Sequence, residues 1–138
     1  MIAINLKGTV LCTQVFFQHM CDRWQGHIVN IVSRLGKVGR VKFGGYAASK
    51  FVMLGSTETT DAEGIVYNVK ATAVPPSAAS TQQRAENYKE DQSKLLQAQD
   101  IAEEVPFIVT RPERVCIVEA DITSQYMRWL PGTGNLKP

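Results

Sequence analysis

The sequence predicts an α/β fold built on a parallel sheet, and three features carry that prediction. Apolar residues recur at helical spacing in three segments, short β-branched runs lie between those segments, and the two kinds of segment alternate along the chain. Alternation at this spacing makes each strand-to-strand connection a right-handed crossover through a helix. The 138 residues, 44% hydrophobic and 20% charged, suffice for a core without a disulfide or metal staple, and they are treated as a single domain, 1–138. No window approaches 18 uninterrupted apolar residues, so no membrane span is expected. The net charge of +2 does not by itself decide on nucleic acid, and neither a nucleic-acid nor a membrane partner is expected. Cys12, Cys21 and Cys116 are odd in number and lack metal-ligand spacing, which points to reduced thiols in the cytoplasm.

The first segment runs from Ile4 to about Met20, with Leu6, Val10, Leu11, Val15, Phe17 and Met20 mostly three or four apart, the spacing of a helix with a broad apolar face. It is interrupted by Asn5, Lys7, Gln14, Gln18 and His19, so it does not read as a signal peptide, and the chain starts as if in the middle of a domain. After Gln25-Gly26, the run His27 to Val32 predicts a strand buried on both faces and closed by Ser33. Arg34 to Gly45 mixes four glycines with four cations and reads as a solvated loop. A second helix is expected from Tyr46 to about Glu63, weaker toward its threonine-rich end.

Val66 to Val74 predicts a second strand, ended by Pro75-Pro76. Ser77 to Ser93 is polar and reads as a loop followed by a short helix. From about Gln99 a third helix is predicted, bent at Pro106 because proline removes one backbone hydrogen bond. Arg114 to Glu119 predicts a third strand, and the tail from Thr123, including Trp129 and Pro131-Gly132, is expected to be irregular. His19 and His27 have no ligand-like partner in the pattern and are read as structural.

The chemistry-bearing residues are in Tyr46-Ala47-Ala48-Ser49-Lys50. Tyrosine and lysine four apart share one face of a helix, so the ammonium can approach the phenol. A free phenol titrates near 10 and exchanges protons poorly at neutral pH, whereas a nearby cation favours the phenolate. Lowering such a group to about 7 takes roughly 4 kcal/mol of differential stabilisation, at about 1.4 per unit. Ser33 lies at the end of a strand, where an open parallel sheet presents side chains to a ligand.

The runs N-L-K-G-T, G-H-I-V-N-I-V-S, Y-A-A-S-K-F, G-I-V-Y-N-V-K-A-T-A-V-P and D-I-A-E-E-V-P-F together resemble the short-chain dehydrogenases/reductases, over nearly the whole chain. The resemblance implies a Rossmann-like doubly wound parallel sheet, of which about three strands and three helices are present here. It also implies hydride transfer between NAD or NADP and an alcohol or carbonyl substrate. By that likeness Tyr46 is the general acid/base, Ser33 hydrogen-bonds the reacting oxygen, Lys50 tunes the phenol and holds the nicotinamide ribose, and Asn5 positions a water in a proton relay. Pro75 takes the place of the family's Pro-Gly turn beside the nicotinamide, so Tyr46, Lys50 and Pro75 form the implied cofactor contact.

The sequence departs from the family at three points. The glycine-rich turn that receives the pyrophosphate is absent, as are the N-terminal βαβ units around it, so the chain resembles the catalytic half only. Pro76 stands where a glycine is expected, and Pro106 where an apolar residue is usual. Two readings follow: a truncated oxidoreductase, or a non-catalytic remnant serving as an α/β interaction module. On either, helices on one face of the sheet leave an uncovered apolar face and an unpaired strand edge, which predicts a homodimer or higher self-association. The family also implies oligomers, usually in contact through these first two helices.

Overall fold

A computed structural model describes residues 3–129. The chain enters through a π-helical turn, Ala3–Gly8, that runs directly into α1 (Thr9–Asp22). β1 (Gly26–Ile31), α2 (Gly44–Gly64) and β2 (Val69–Val74) follow, then the short helices α3 (Gln82–Asn87), α4 (Ala98–Ala102) and α5 (Glu104–Val109). β1 and β2 pair in parallel, with Gly26 opposite Val69 and Ile31 opposite Val74. The α/β alternation and the parallel pairing are those the sequence predicts.

α2 is the organising element. Six of its seven buried positions, Ala47, Lys50, Met53, Thr57, Thr60 and Gly64, recur three and four apart and form one stripe, with Ser49 buried beside it. Polar bonds reinforce the stripe: Asn30 of β1 donates to Thr57 Oγ1 at 2.9 Å, Thr57 donates to the Met53 carbonyl at 2.8 Å, and the Ala71 amide donates to Asp61 Oδ1 at 2.8 Å. Val32, Met53 and Ala73 form the apolar centre beneath, with Leu54 packed on it. The small residues of β2, Ala71 and Ala73, have no exposed surface and let the helix approach closely.

Three elements differ from their sequence reading. β1 is half-buried rather than buried on both faces, because its far edge has no neighbouring strand among the described residues and Ile31 stays 42% exposed. Arg114 to Glu119 does not build a ladder of its own. It meets β2 through one bridge, Ala73 to Glu119, with the Ala73 amide donating to the Val118 carbonyl and the Ala120 amide to the Ala73 carbonyl. Ile65 to Tyr67 is a 3-10 turn rather than the start of the second strand, ended by Asn68 in the left-handed region, where asparagine is tolerated.

The predicted third helix is two helices. The break falls at Glu103, which places Pro106 in the first turn of α5, where a missing amide costs little. α4 is opened by a capping box in which the Gln97 amide donates to Asp100 Oδ2 at 2.7 Å. In the tail, Tyr126–Trp129 is a 3-10 turn, and Pro131-Gly132 lie outside the described residues. No helix among the described residues is long and apolar enough to cross a membrane.

Candidate functional site

The site is assembled where β1 and β2 end together. The Val32 amide donates to the Val74 carbonyl at 2.8 Å and the Arg34 amide to the Pro76 carbonyl at 3.0 Å, so the parallel register continues past β1 and sets Ser33 opposite Pro76. Pro75 and Pro76 are buried, so the strand end that follows β2 is rigid at the position the sequence marks for a cofactor contact. Ser33 is extended, and its Oγ accepts from the Leu35 amide at 3.2 Å. That bond uses a lone pair only. The hydroxyl hydrogen remains available to donate to a ligand oxygen.

Glycine fixes how near this strand end lies to α2. Gly36 is buried against the helix, and a Cβ there would stand 2.8 Å from the Lys50 carbonyl oxygen and 3.1 Å from Val32 Cγ1. Only a residue without a side chain lets the loop after Ser33 rest on the turn that bears Lys50. In this way the loop that follows Ser33 is seated on the helix that carries Lys50.

Tyr46 and Lys50 occupy successive turns of α2. The Lys50 ammonium lies 5.7 Å from the centre of the Tyr46 ring. Lys50 is only 9% exposed and has no carboxylate partner among the described residues, and burial pushes its ammonium below the ordinary lysine range. A buried cation with three donors and no anion is a group that a bound polar ligand would satisfy. Tyr46 is half-buried and makes an edge contact with Phe43, ring centres 6.4 Å apart.

Asn5 reaches this helix by another route. Its Nδ2 donates to Ser49 Oγ at 3.4 Å, and Ser49 donates to the Tyr46 carbonyl at 2.7 Å. The π-helical turn around Asn5 departs from the regular i to i−4 pattern, and the Asn5 carbonyl accepts from Thr9 Oγ1 at 2.6 Å. The structure therefore brings Asn5, Ser33, Tyr46 and Lys50 to one end of the sheet, with Pro75 beside them. Ser49 and Gly36 were not singled out in the sequence. Ser49 could have been, since it is the one hydroxyl inside Tyr46 to Lys50 and its turn faces the first helix.

The residues present fit the nicotinamide-ribose end of a dinucleotide: an unpaired buried ammonium, a free hydroxyl hydrogen, a phenol and a proline-fixed strand end. The chain carries no glycine-rich strand-to-helix turn to hold the pyrophosphate. A groove of about 500 Å³ lies elsewhere, between α1 and β1, lined by Cys12, Phe16, Met20, His27 and Ile28 among others.

Comparison with known proteins agrees with this architecture. The chain is 31% identical over 122 residues to an uncharacterized oxidoreductase of Staphylococcus aureus, covering 88% of this chain and 52% of that protein. It is 32% identical over 119 residues to the (3R)-3-hydroxyacyl-CoA dehydrogenase of Mus musculus, covering 79% of this chain and 46% of that one. The chain thus spans about half the length of the curated relatives it matches. An alcohol dehydrogenase from the archaeon Thermococcus sibiricus, solved with 5-hydroxy-NADP, superposes with a TM-score of 0.79 at 22% identity, over 91% of this chain and 53% of that one, and shares the Rossmann-like fold. The sequence description of the short chain dehydrogenases matches residues 1–92. With two-thirds of its length matched to that description and its sheet end built as above, the chain belongs to the short chain dehydrogenase family.

Proposed function

We propose that this chain carries the proton-transfer half of an NAD(P)-dependent oxidoreductase acting on a small alcohol or carbonyl. The observation that carries the reading is the buried, unpaired Lys50 ammonium stacked toward Tyr46, beside a strand-end serine whose hydroxyl hydrogen is free. When bound, the nicotinamide takes the hydride in oxidation and gives it in reduction. Tyr46 Oη takes the alcohol proton as the carbonyl forms and returns it in the reverse direction. Ser33 Oγ donates to the same oxygen and stabilises the charge that develops there. Lys50 binds the nicotinamide ribose and keeps positive charge beside the phenol. Asn5, held to Ser49, orders the polar contacts behind Lys50 through which the proton reaches solvent. Tyr46, Lys50 and Pro75 form the cofactor contact.

The test is cofactor binding to the purified chain. Millimolar NADH or NADPH should enhance nicotinamide fluorescence and stabilise the fold; at 100 times the dissociation constant the gain is about 2.7 kcal/mol. Tyr46→Phe should retain binding and lose turnover, and Lys50→Ala should weaken binding. If neither cofactor shifts the melting temperature or the fluorescence, the oxidoreductase reading of this chain is lost, and the α/β interaction module takes its place.

A specific feature also supports self-association. Because the Val32 amide faces β2, alternation turns the backbone groups of His27, Val29 and Ile31 toward the open edge of β1, where no strand pairs with them among the described residues. We infer a homodimer or larger assembly that covers this edge. Light scattering at tens of micromolar should give more than the 15.3 kDa monomer mass, and a stable monomer would remove the inference. The free state of Cys12, Cys21 and Cys116 suits a cytoplasmic setting.

A further inference from the structure

The loop from Ser33 to Tyr46 joins the two principal site residues, and its charge is one-sided. Between Asp22 and Glu58 the chain has no carboxylate and six cations: Arg23, Arg34, Lys37, Arg40, Lys42 and Lys50. The structure assigns work to several of them. Lys37 bridges Glu119 at 2.5 Å and Asp121 at 3.4 Å, Arg34 donates to Thr123 Oγ1 at 3.3 Å, and Lys50 lies under Tyr46. Arg40 has no carboxylate partner among the described residues. Its guanidinium carbon lies instead 5.3 Å from the centre of the Phe43 ring, and that ring makes the edge contact with Tyr46.

The backbone that carries this stack is held in place. The Phe43 amide donates to the Arg40 carbonyl at 3.0 Å, closing a tight turn, and the Ala47 amide donates to the Phe43 carbonyl at 2.7 Å, joining that turn to the first turn of α2. Within the turn Lys42 adopts φ 69, the left-handed region that disfavours a lysine, a local strain of about 1 kcal/mol or more that the surrounding bonds must hold. The exposed Arg40 guanidinium thus lies against the ring that contacts Tyr46. A planar fork of donors beside that ring suits a carboxylate or phosphate oxygen pair on a molecule whose reacting oxygen meets Tyr46.

We propose that Arg40 is a specificity-determining residue that selects substrates bearing an anionic group, carboxylate or phosphate, a few bonds from the reacting alcohol or carbonyl. The proposal rests on the reading of Tyr46 as the proton-transfer residue, and it deepens that reading by naming the substrate class. Lys42 adds long-range attraction, and Phe43 supplies the platform that keeps the fork extended.

The experiment needs neither cofactor nor turnover, so its failure is distinguishable from failure of the oxidoreductase reading. The ¹⁵N-labelled chain is titrated in low salt with 3-hydroxybutyrate, with the neutral butane-1,3-diol of similar shape, and with inorganic phosphate, following backbone amide shifts. The expected result is shifts confined to residues 33–46 with 3-hydroxybutyrate at least tenfold tighter than the diol, and loss of that preference in Arg40→Gln. Phosphate tighter than 3-hydroxybutyrate at the same amides identifies a phosphorylated substrate, and the reverse order a carboxylate; both support the role. Arg40→Gln alters an exposed side chain, and its circular dichroism spectrum should match wild type. Equal affinity for the diol and the acid, shifts mapping elsewhere, or an unchanged preference in Arg40→Gln overturns the proposal. Nicotinamide binding absent while the anion preference persists would sink the oxidoreductase reading and leave the anion contact standing.

Discussion

Two glycine-to-alanine substitutions in the same helix should move stability in opposite directions. Gly55 lies exposed in the middle of α2, and a Cβ added there meets nothing within 4 Å. Alanine restricts the unfolded chain and favours the helix, so Gly55→Ala should stabilise by about 0.5–1 kcal/mol. Gly64 closes the same helix where the chain turns back into β2. A Cβ there would fall inside the van der Waals shell of the Val69 carbonyl oxygen, with the carbonyl carbon at 3.0 Å and Val69 Cβ at 3.2 Å. Those are backbone and strand atoms, and Val69 is 2% exposed and paired with Gly26, so it cannot swing aside. Overpacking of a rigid neighbour costs about 1–3 kcal/mol, which outweighs the helix gain and leaves Gly64→Ala about 1–2 kcal/mol less stable than wild type. The two variants should thus differ by about 1.5–3 kcal/mol in urea unfolding followed by far-ultraviolet circular dichroism, with unchanged slope. If Gly64→Ala matched or exceeded wild type, the close seating of α2 on β2 that positions the site would be wrong.

Thr57→Val removes the acceptor of the Asn30 amide while keeping the side-chain shape, and an unpaired donor against α2 should cost about 1–3 kcal/mol in the same urea assay. Lys50→Met exchanges a buried, unpaired ammonium for an apolar chain of similar length; thermal unfolding should show stability unchanged or raised by about 1 kcal/mol while nicotinamide binding is lost. His27 is pushed below the ordinary histidine range first by burial and then by the Lys70 ammonium, with Asp61 opposing. The unfolded chain therefore binds the proton more readily. Stability should be full above about pH 6.5 and decline as the pH falls from there through the lowered value, and His27→Gln should flatten that part of the stability profile.

The parts legible in the sequence were those set by local periodicity. α2 could be read because its buried stripe repeats three and four apart, and β2 because it is a β-branched and alanine run stopped by Pro75. The third strand could not, because R-V-C-I-V-E has strand composition but meets β2 only through one bridge; composition records a preference for extension, and only the tertiary partner decides how much of the ladder forms. The half-exposure of β1 is the same lesson in reverse: its sequence is that of a strand flanked on both sides, and a flank is missing from the described residues. In the site, Tyr46, Lys50 and Ser33 were visible as a linked pattern. Gly36 and Ser49 were not, since their importance is a distance to another element: Gly36 to the Lys50 backbone, Ser49 to Asn5 forty-four residues away.

The distribution of charge along the chain follows from the same division. On the proposed function the cation has to lie desolvated beside the phenol, and α2 carries Lys50 in its buried stripe. Desolvation works against the charged form, as the lowered ammonium shows, and a partner that hydrogen-bonds the ammonium would offset that cost. No carboxylate does so among the described residues, and a carboxylate there would draw the charge away from the phenol. On the function proposed above, the ribose hydroxyls of the cofactor supply that partner. On that proposal, cofactor binding moves the ammonium of Lys50 back toward the ordinary lysine range. Its ammonium should therefore titrate higher in the presence of cofactor than in its absence, a shift that ¹⁵N detection of the lysine Nζ would follow directly. A titration unchanged by bound NADH or NADPH would mean that Lys50 is buried for packing alone.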